Sequence, residues 1–250
     1  HYLALQSAIN VARLTGHDAD VAHYEHTMQQ IKDAYNLCWN GKAYRHPTYT
    51  GDTDDRVQAL AVISGIASAD KYEAIYKLFT TQWHASPYME KYVLEALVKT
   101  GHCAYALDRF KKRFGPMISD PVYTTLFESW EVGGYGGGST NHAWSGGMLT
   151  VIAENICGVR PTVPGWKEFE ICPYPVIAEC SITIPSVAGK ISSSFKDSKE
   201  SFIMNVVIPE GTTATVRVPQ QEYSSISLDG KPAEKQMVLK EGEHEIICRK

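Results

Sequence analysis

Much of what usually assigns a protein to a class is missing from these 250 residues. There is no CxxC pair: Cys38, Cys103, Cys157, Cys172, Cys180 and Cys248 are scattered along the chain. Metal sites need ligands at short intervals, so this spacing argues against zinc and implies neither metal nor cofactor. A chain of this length buries a core without a disulfide framework. The thiols therefore read as buried and free, with at most one disulfide in the tail. No basic cluster marks a nucleic-acid partner, since 24 Lys and Arg face 28 Asp and Glu for a net charge of −4. No apolar run approaches a membrane span, and nothing at the N-terminus resembles a signal peptide. The chain opens at His1 already in helical pattern, so it reads as a piece of something longer, and its compartment stays open. No internal sequence repeat is evident.

What is present divides in two. Apolar residues recur at three and four from His1 to Leu14 (Leu5, Ala8, Ile9, Ala12), and Gly16 supplies a C-cap. Asp18 or Asp20 can cap a second helix running to about Cys38. Asn40-Gly41 and His46-Pro47 open an aromatic-rich loop, after which Asp52 to Asp55 precede a helix over Val57 to Ile66. Asp54 and Asp55 read as helix-capping carboxylates rather than substrate ligands. Further helices are expected over Lys71–Phe79, Pro87–Val98, Ala104–Phe114 and Thr140–Ile156. Ala59-Leu60-Ala61-Val62-Ile63 is apolar around much of its circumference, as in an inner helix covered by an outer layer. From Pro161 the prolines to Pro175 mark a linker, and the period then falls to two. Ser181–Ile184, Ile191–Phe195, Phe202–Ile208, Thr215–Val218 and His244–Cys248 read as strands, with a turn at Asp229-Gly230, which gives a small β-sandwich.

Between the two textures lies the most informative stretch. Thr124-Thr125-Leu126-Phe127-Glu128-Ser129-Trp130 leads into Gly133-Gly134-Tyr135-Gly136-Gly137-Gly138 and then Asn141-His142-Ala143-Trp144. So many glycines predict a flexible loop rather than a helix or strand. A carboxylate for proton transfer, polar groups for hydroxyls and indoles for an apolar sugar face are the furniture of carbohydrate sites. The plainer alternative is a surface loop whose tryptophans pack on the core. Glu131 reads as a solvated charge. Trp83 and His84 lie in a turn between helices, and the sequence does not decide whether they reach a pocket.

These residues, in order and spacing, resemble the family 78 glycoside hydrolases, the α-L-rhamnosidases. The likeness continues through Cys157-Gly158-Val159-Arg160-Pro161, Pro164-Gly165-Trp166, Pro173-Tyr174-Pro175 and Pro209-Glu210-Gly211-Thr212-Thr213-Ala214-Thr215-Val216. It implies the C-terminal part of such an enzyme, with residues 1–160 in an (α/α)6 six-hairpin barrel and 161–250 in the β-sandwich. It also implies inverting hydrolysis of terminal α-L-rhamnose, with Glu128 as general base and His142, Trp130 and Asn141 as substrate-binding residues. Inversion needs two carboxyl groups roughly 6.5–9.5 Å apart. The family's general acid sits on an earlier acidic motif that has no counterpart here. Seven or eight helices are countable, against the twelve of a full barrel. The expectation is therefore a fragment that carries the base without the acid, inactive alone, whose exposed helical faces would self-associate. Two alternatives stay open: another glycosidase on the same barrel, or a carbohydrate-binding protein that uses the sandwich.

Overall fold

Capping chemistry sets the helix starts. The computed structural model describes residues 1–250 apart from the side chain of Tyr135. The chain divides into two compact units, His1–Ser145 and Gly146–Lys250. In the first, α1 spans Tyr2–Leu14 and α2 spans Asp18–Asn36. Gly16 stands at φ 74° just past α1, and the His17 N–H reaches back to the Ala12 carbonyl at 2.8 Å. Asp18 and Asp20 lie inside the first turn of α2, where they suit its positive end, while His17 holds the cap position. Asp54 is the true cap of α3 (Asp55–Ser64), its carboxylate accepting the Arg56 N–H at 2.8 Å. The helix thus begins two residues earlier than expected. Asp55 is not a cap at all but a buried charge.

Helices α4 (Tyr72–Thr81), α5 (Pro87–Lys99) and α6 (Cys103–Ile118) follow. Ser86 caps α5 and Pro87 occupies its first turn, where a missing N–H costs nothing. Gly115-Pro116 fails to end α6 because the proline sits in the last turn and Met117, 2% exposed, anchors that turn in the core. Helices α3 and α5 are the buried ones. Ala59, Ala61 and Val62 on α3, and Val93, Leu94, Ala96 and Leu97 on α5, are each at most 2% exposed. By contrast α2 buries no residue fully.

The expected last helix is broken into pieces: a 3-10 turn at Ala143–Gly147, a short α8 at Met148–Val151 and a π turn at Ile152–Ile156. The glycine stretch is not wholly loop either. Gly134–Gly137 make one helical turn, α7, entered through Gly133 at φ 76°. Among the described residues no helix is long and apolar enough to cross a membrane.

The second unit is a two-sheet sandwich. One sheet has the order β1 (Val159–Pro161), β2 (Glu168–Ile171), β6 (Thr213–Arg217), β9 (Gln236–Leu239). The other runs β3 (Glu179–Ser186), β4 (Gly189–Asp197), β5 (Ser201–Ile208), β10 (Gly242–Arg249), β7 (Ser225–Leu228), β8 (Lys231–Pro232). All pairings are antiparallel except β2 with β6. One apolar core joins the sheets: Phe169, Ile171, Ala214 and Val216 from the first meet Phe195, Phe202, Met204 and Ile246 from the second. Alternation is strict on β5, where Phe202, Met204, Val206 and Ile208 face in. The expected proline-rich linker therefore contains a core strand, β2. Gly158 makes this packing feasible. It sits at φ 76°, and a Cβ there would lie 2.1 Å from the Cys172 carbonyl carbon.

Candidate active site

Two stretches of backbone run side by side and bring the glycine-flanked residues together. The His142 N–H donates to the Leu126 carbonyl at 2.8 Å, and the Glu128 N–H donates to the Ser139 carbonyl at 2.9 Å. The Thr125 hydroxyl donates to the Thr140 carbonyl, and the Ser145 hydroxyl to the Phe127 carbonyl at 2.6 Å. The glycines are needed for this closure. A Cβ on Gly134 would fall 2.0 Å from the Ser129 hydroxyl, and one on Gly138 would fall 2.7 Å from the Gly134 carbonyl.

The clip sets the Glu128 carboxylate beside the His142 imidazole, with Oε2 to Nδ1 at 3.6 Å. That is ion-pair distance if the ring is protonated, and just beyond a hydrogen bond. The Ser139 N–H donates to the same Oε2 at 2.9 Å and fixes the carboxylate's direction. Both side chains remain open to solvent, Glu128 at 26% and His142 at 32%. Asn141 is exposed next to them, its backbone held by the Ser139 hydroxyl.

The two indoles part company. Trp130 turns toward α5 and α6. Its Nε1–H donates to the Ala85 carbonyl at 2.8 Å, Arg113 stacks on its ring at 4.0 Å, and Phe114 meets it edge-on at 4.9 Å. Trp144, 41% exposed, instead stands against His142 at 4.3 Å and Tyr88 at 5.2 Å between ring centroids. The structure thus joins Glu128, His142 and Trp144, and it docks Trp130 on the scaffold behind them. Tyr88 and the Ser139 N–H escaped sequence reading. Tyr88 follows the proline of a helix start, a position that projects from the end of α5, and this was the available signal.

That scaffold is ionic. Arg109 donates to Asp55 at 2.7 Å and to Glu90 at 2.7 and 3.1 Å, and Arg113 pairs with Glu90. Side-chain exposure is 0% for Asp55, Glu90 and Arg109 and 9% for Arg113. The two guanidiniums also donate to the carbonyls of Phe79, Gln82, Trp83 and Ala85. This pins the turn between α4 and α5, including the carbonyl that receives Trp130. Burial draws the Arg113 guanidinium below its ordinary range, since Glu90 only partly offsets it. Trp83 lies under Arg109 at 4.3 Å and Lys112 at 4.7 Å, and the His84 N–H donates to Asp55 at 3.2 Å. Asp54 is held by Arg56. Asp54 and Asp55 are therefore both occupied in structural work. Among the described residues, no group of three or more His, Cys, Asp or Glu side chains is arranged to hold a metal.

Comparison with known proteins gives a consistent picture. Residues 1–156 match the bacterial alpha-L-rhamnosidase 6 hairpin glycosidase domain, and residues 158–232 match the bacterial alpha-L-rhamnosidase C-terminal domain. An alpha-L-rhamnosidase of Formosa agariphila is 28% identical over 117 residues, 43% of this chain and 13% of that protein. One of Streptomyces avermitilis is 27% identical over 167 residues, 61% of this chain and 16% of that protein. The fold of the whole chain is that of part of an alpha-L-rhamnosidase structure from Dictyoglumus thermophilum (TM-score 0.83, 20% identity, 100% of this chain and 31% of that one). The Streptomyces avermitilis enzyme, solved in complex with L-rhamnose, aligns at TM-score 0.78 and 20% identity over 98% of this chain and 26% of its own. The chain thus spans about a seventh of the length of the curated relatives it matches.

Proposed function

The chain belongs to the bacterial α-L-rhamnosidase six-hairpin glycosidase family, and from that premise we propose that it carries the general-base half of a site that removes terminal α-L-rhamnose with inversion. The observation that supports this most is the pairing of Glu128 with His142 across the glycine clip. In this reading the Ser139 N–H holds one oxygen of Glu128 and the other accepts a proton from water. The water then attacks the anomeric carbon from the face opposite the departing oxygen. His142 and Asn141 donate to or accept from ring hydroxyls. Trp144 offers its exposed face to the apolar side of the sugar, and Trp130, its N–H already spent, contributes a ring edge while bracing the segment. Asp54 and Asp55 are committed to Arg56 and Arg109. In this reading the leaving oxygen is protonated by a carboxyl outside residues 1–250, and these residues alone do not cleave an unactivated rhamnoside.

The test has two arms. In an active enzyme preparation that includes this chain, Glu128→Gln keeps the shape but cannot take the proton, and turnover falls by about 10²–10⁴. His142→Ala weakens rhamnose binding by about 1–3 kcal/mol, read by calorimetry. Near-normal turnover of the Glu128 variant removes that residue from the mechanism. With the 250-residue chain alone, hydrolysis of an alkyl rhamnoside as fast as an activated aryl rhamnoside would place the acid within it.

A further inference from the structure

Two of the six thiols lie together. The Cys157 and Cys180 sulfurs are 2.7 Å apart, inside ordinary nonbonded contact of about 3.5–4.0 Å and a short movement from an S–S bond of about 2.0 Å. Cys157 is buried directly after the π turn that ends the helical run. Cys180 is half-buried on β3, the outer strand of the six-stranded sheet. Cys180 keeps partial solvent exposure at the sheet edge whereas Cys157 is 4% exposed, so a small molecule reaches Cys180 first. The other four thiols have no such neighbour among the described residues. We propose that Cys157 and Cys180 form a redox site, which a small-molecule disulfide oxidises to a cross-link between the end of the helical run and β3.

The exchange runs in a fixed order. The hydrogen bond between the two sulfurs favours the Cys180 thiolate and, together with burial, pushes the Cys157 thiol up. Cys180 is therefore the first nucleophile. It attacks one sulfur of the reagent, the reagent's S–S bond breaks, and one reagent thiol departs carrying the Cys180 proton. Cys157 then attacks the Cys180 sulfur, forms the internal bond, and releases the second reagent thiol with the Cys157 proton. Two protein thiols are oxidised and one reagent disulfide is reduced to two thiols.

The test exposes the native 250-residue chain to oxidised glutathione, alkylates the remaining thiols and reads the intact mass. The expected product has lost two hydrogens, keeps four alkylatable thiols and returns to six with dithiothreitol. Its thermal midpoint is higher by about 5 °C or more. Cys172→Ser still cross-links. Cys157→Ser accumulates a glutathione adduct on residue 180, whereas Cys180→Ser accumulates none on residue 157. Six alkylatable thiols after native oxidation, under conditions that oxidise the urea-unfolded chain, overturn the proposal. So does loss of the cross-link in Cys172→Ser.

Discussion

Arginine grips a buried carboxylate in both units, with the arginines at opposite depths. In the helical unit Asp55, Glu90, Arg109 and Arg113 meet with almost no solvent contact and tie α3, the α4–α5 turn, α5 and α6 together. In the sandwich Glu170 on β2 takes Arg160 on β1 at 2.7 Å and Arg217 on β6 at 2.7 Å, with those arginines 48% and 35% exposed. Arg160 and Glu170 are direct cross-strand partners. The chemistry is the same, but the consequence differs. Buried ions have surrendered their hydration, so each depends on its partner. In the sandwich the arginines keep water as an alternative, and Glu170, whose side chain is 10% exposed, has two of them, so losing one bridge leaves it paired in a sheet that the apolar core already holds.

The sharpest break of this comparison is Arg109→Met. It leaves Asp55 and Glu90 with buried, underpaired charge, and unfolding of the helical unit should lose about 3–5 kcal/mol. Denaturant unfolding followed by Trp83 and Trp130 fluorescence checks this, and a loss under about 1 kcal/mol would reduce the network to decoration. Packing, not charge, is the sandwich's weak point. Gly158→Ala, facing the Cys172 backbone at positive φ, should cost the second unit about 1–3 kcal/mol, measured by hydrogen exchange of β2 amides. Arg160→Met should cost less than about 1 kcal/mol by the same measurement, and a value matching Arg109→Met would erase the distinction.

The smallest expected effects are those of pH. Burial alone would lift Glu170, but its hydrogen bonds to Arg217 and Arg160 win and hold it below the usual carboxylate range. Its contribution is then complete above the unfolded carboxylate value and fades as pH falls through the lowered one. His244 behaves oppositely. Burial pulls it down, but its bonds to Asp229 and the Lys240 carbonyl raise it overall. Its contribution is present below the ordinary histidine range and is lost as pH rises through the raised value. Thermal midpoints of His244→Gln and the parent chain should therefore converge on the alkaline side. A constant gap across that range would contradict the pairing.

How far these features were legible depends on the distance over which each is determined. Local chemistry read well: the turn at Gly16, the proline-led start of α5 and the alternation of β5. Strand β2 did not, because Phe169, Glu170 and Ile171 are buried in succession without alternation, and of its two neighbours only β1 is near in sequence while β6 lies more than forty residues away. The buried network left one visible trace. Arg109 occupies the apolar register of α6 with Cys103, Ala106 and Met117, although its partners Asp55 and Glu90 are too remote to be read from spacing. At the candidate site the closeness of Glu128 and His142 followed from a glycine-filled interval of fourteen residues. The separation of the two indoles did not, since it depends on where the Ala85 carbonyl is held.

The single parallel pairing, β2 with β6, bears on the time course of folding. Strands β3, β4 and β5 lie between those partners in sequence but pair with one another in the other sheet. The β3–β4–β5 meander can zip from its own short connections. The β2–β6 ladder must wait for Glu168 to meet Thr213 across the intervening chain, at the cost of closing a large loop before any contact repays it. During refolding the β3–β4–β5 meander therefore presents its inner apolar face before the β2–β6 ladder covers it. Pulse-labelled amides on β2 should become protected later than those on β5.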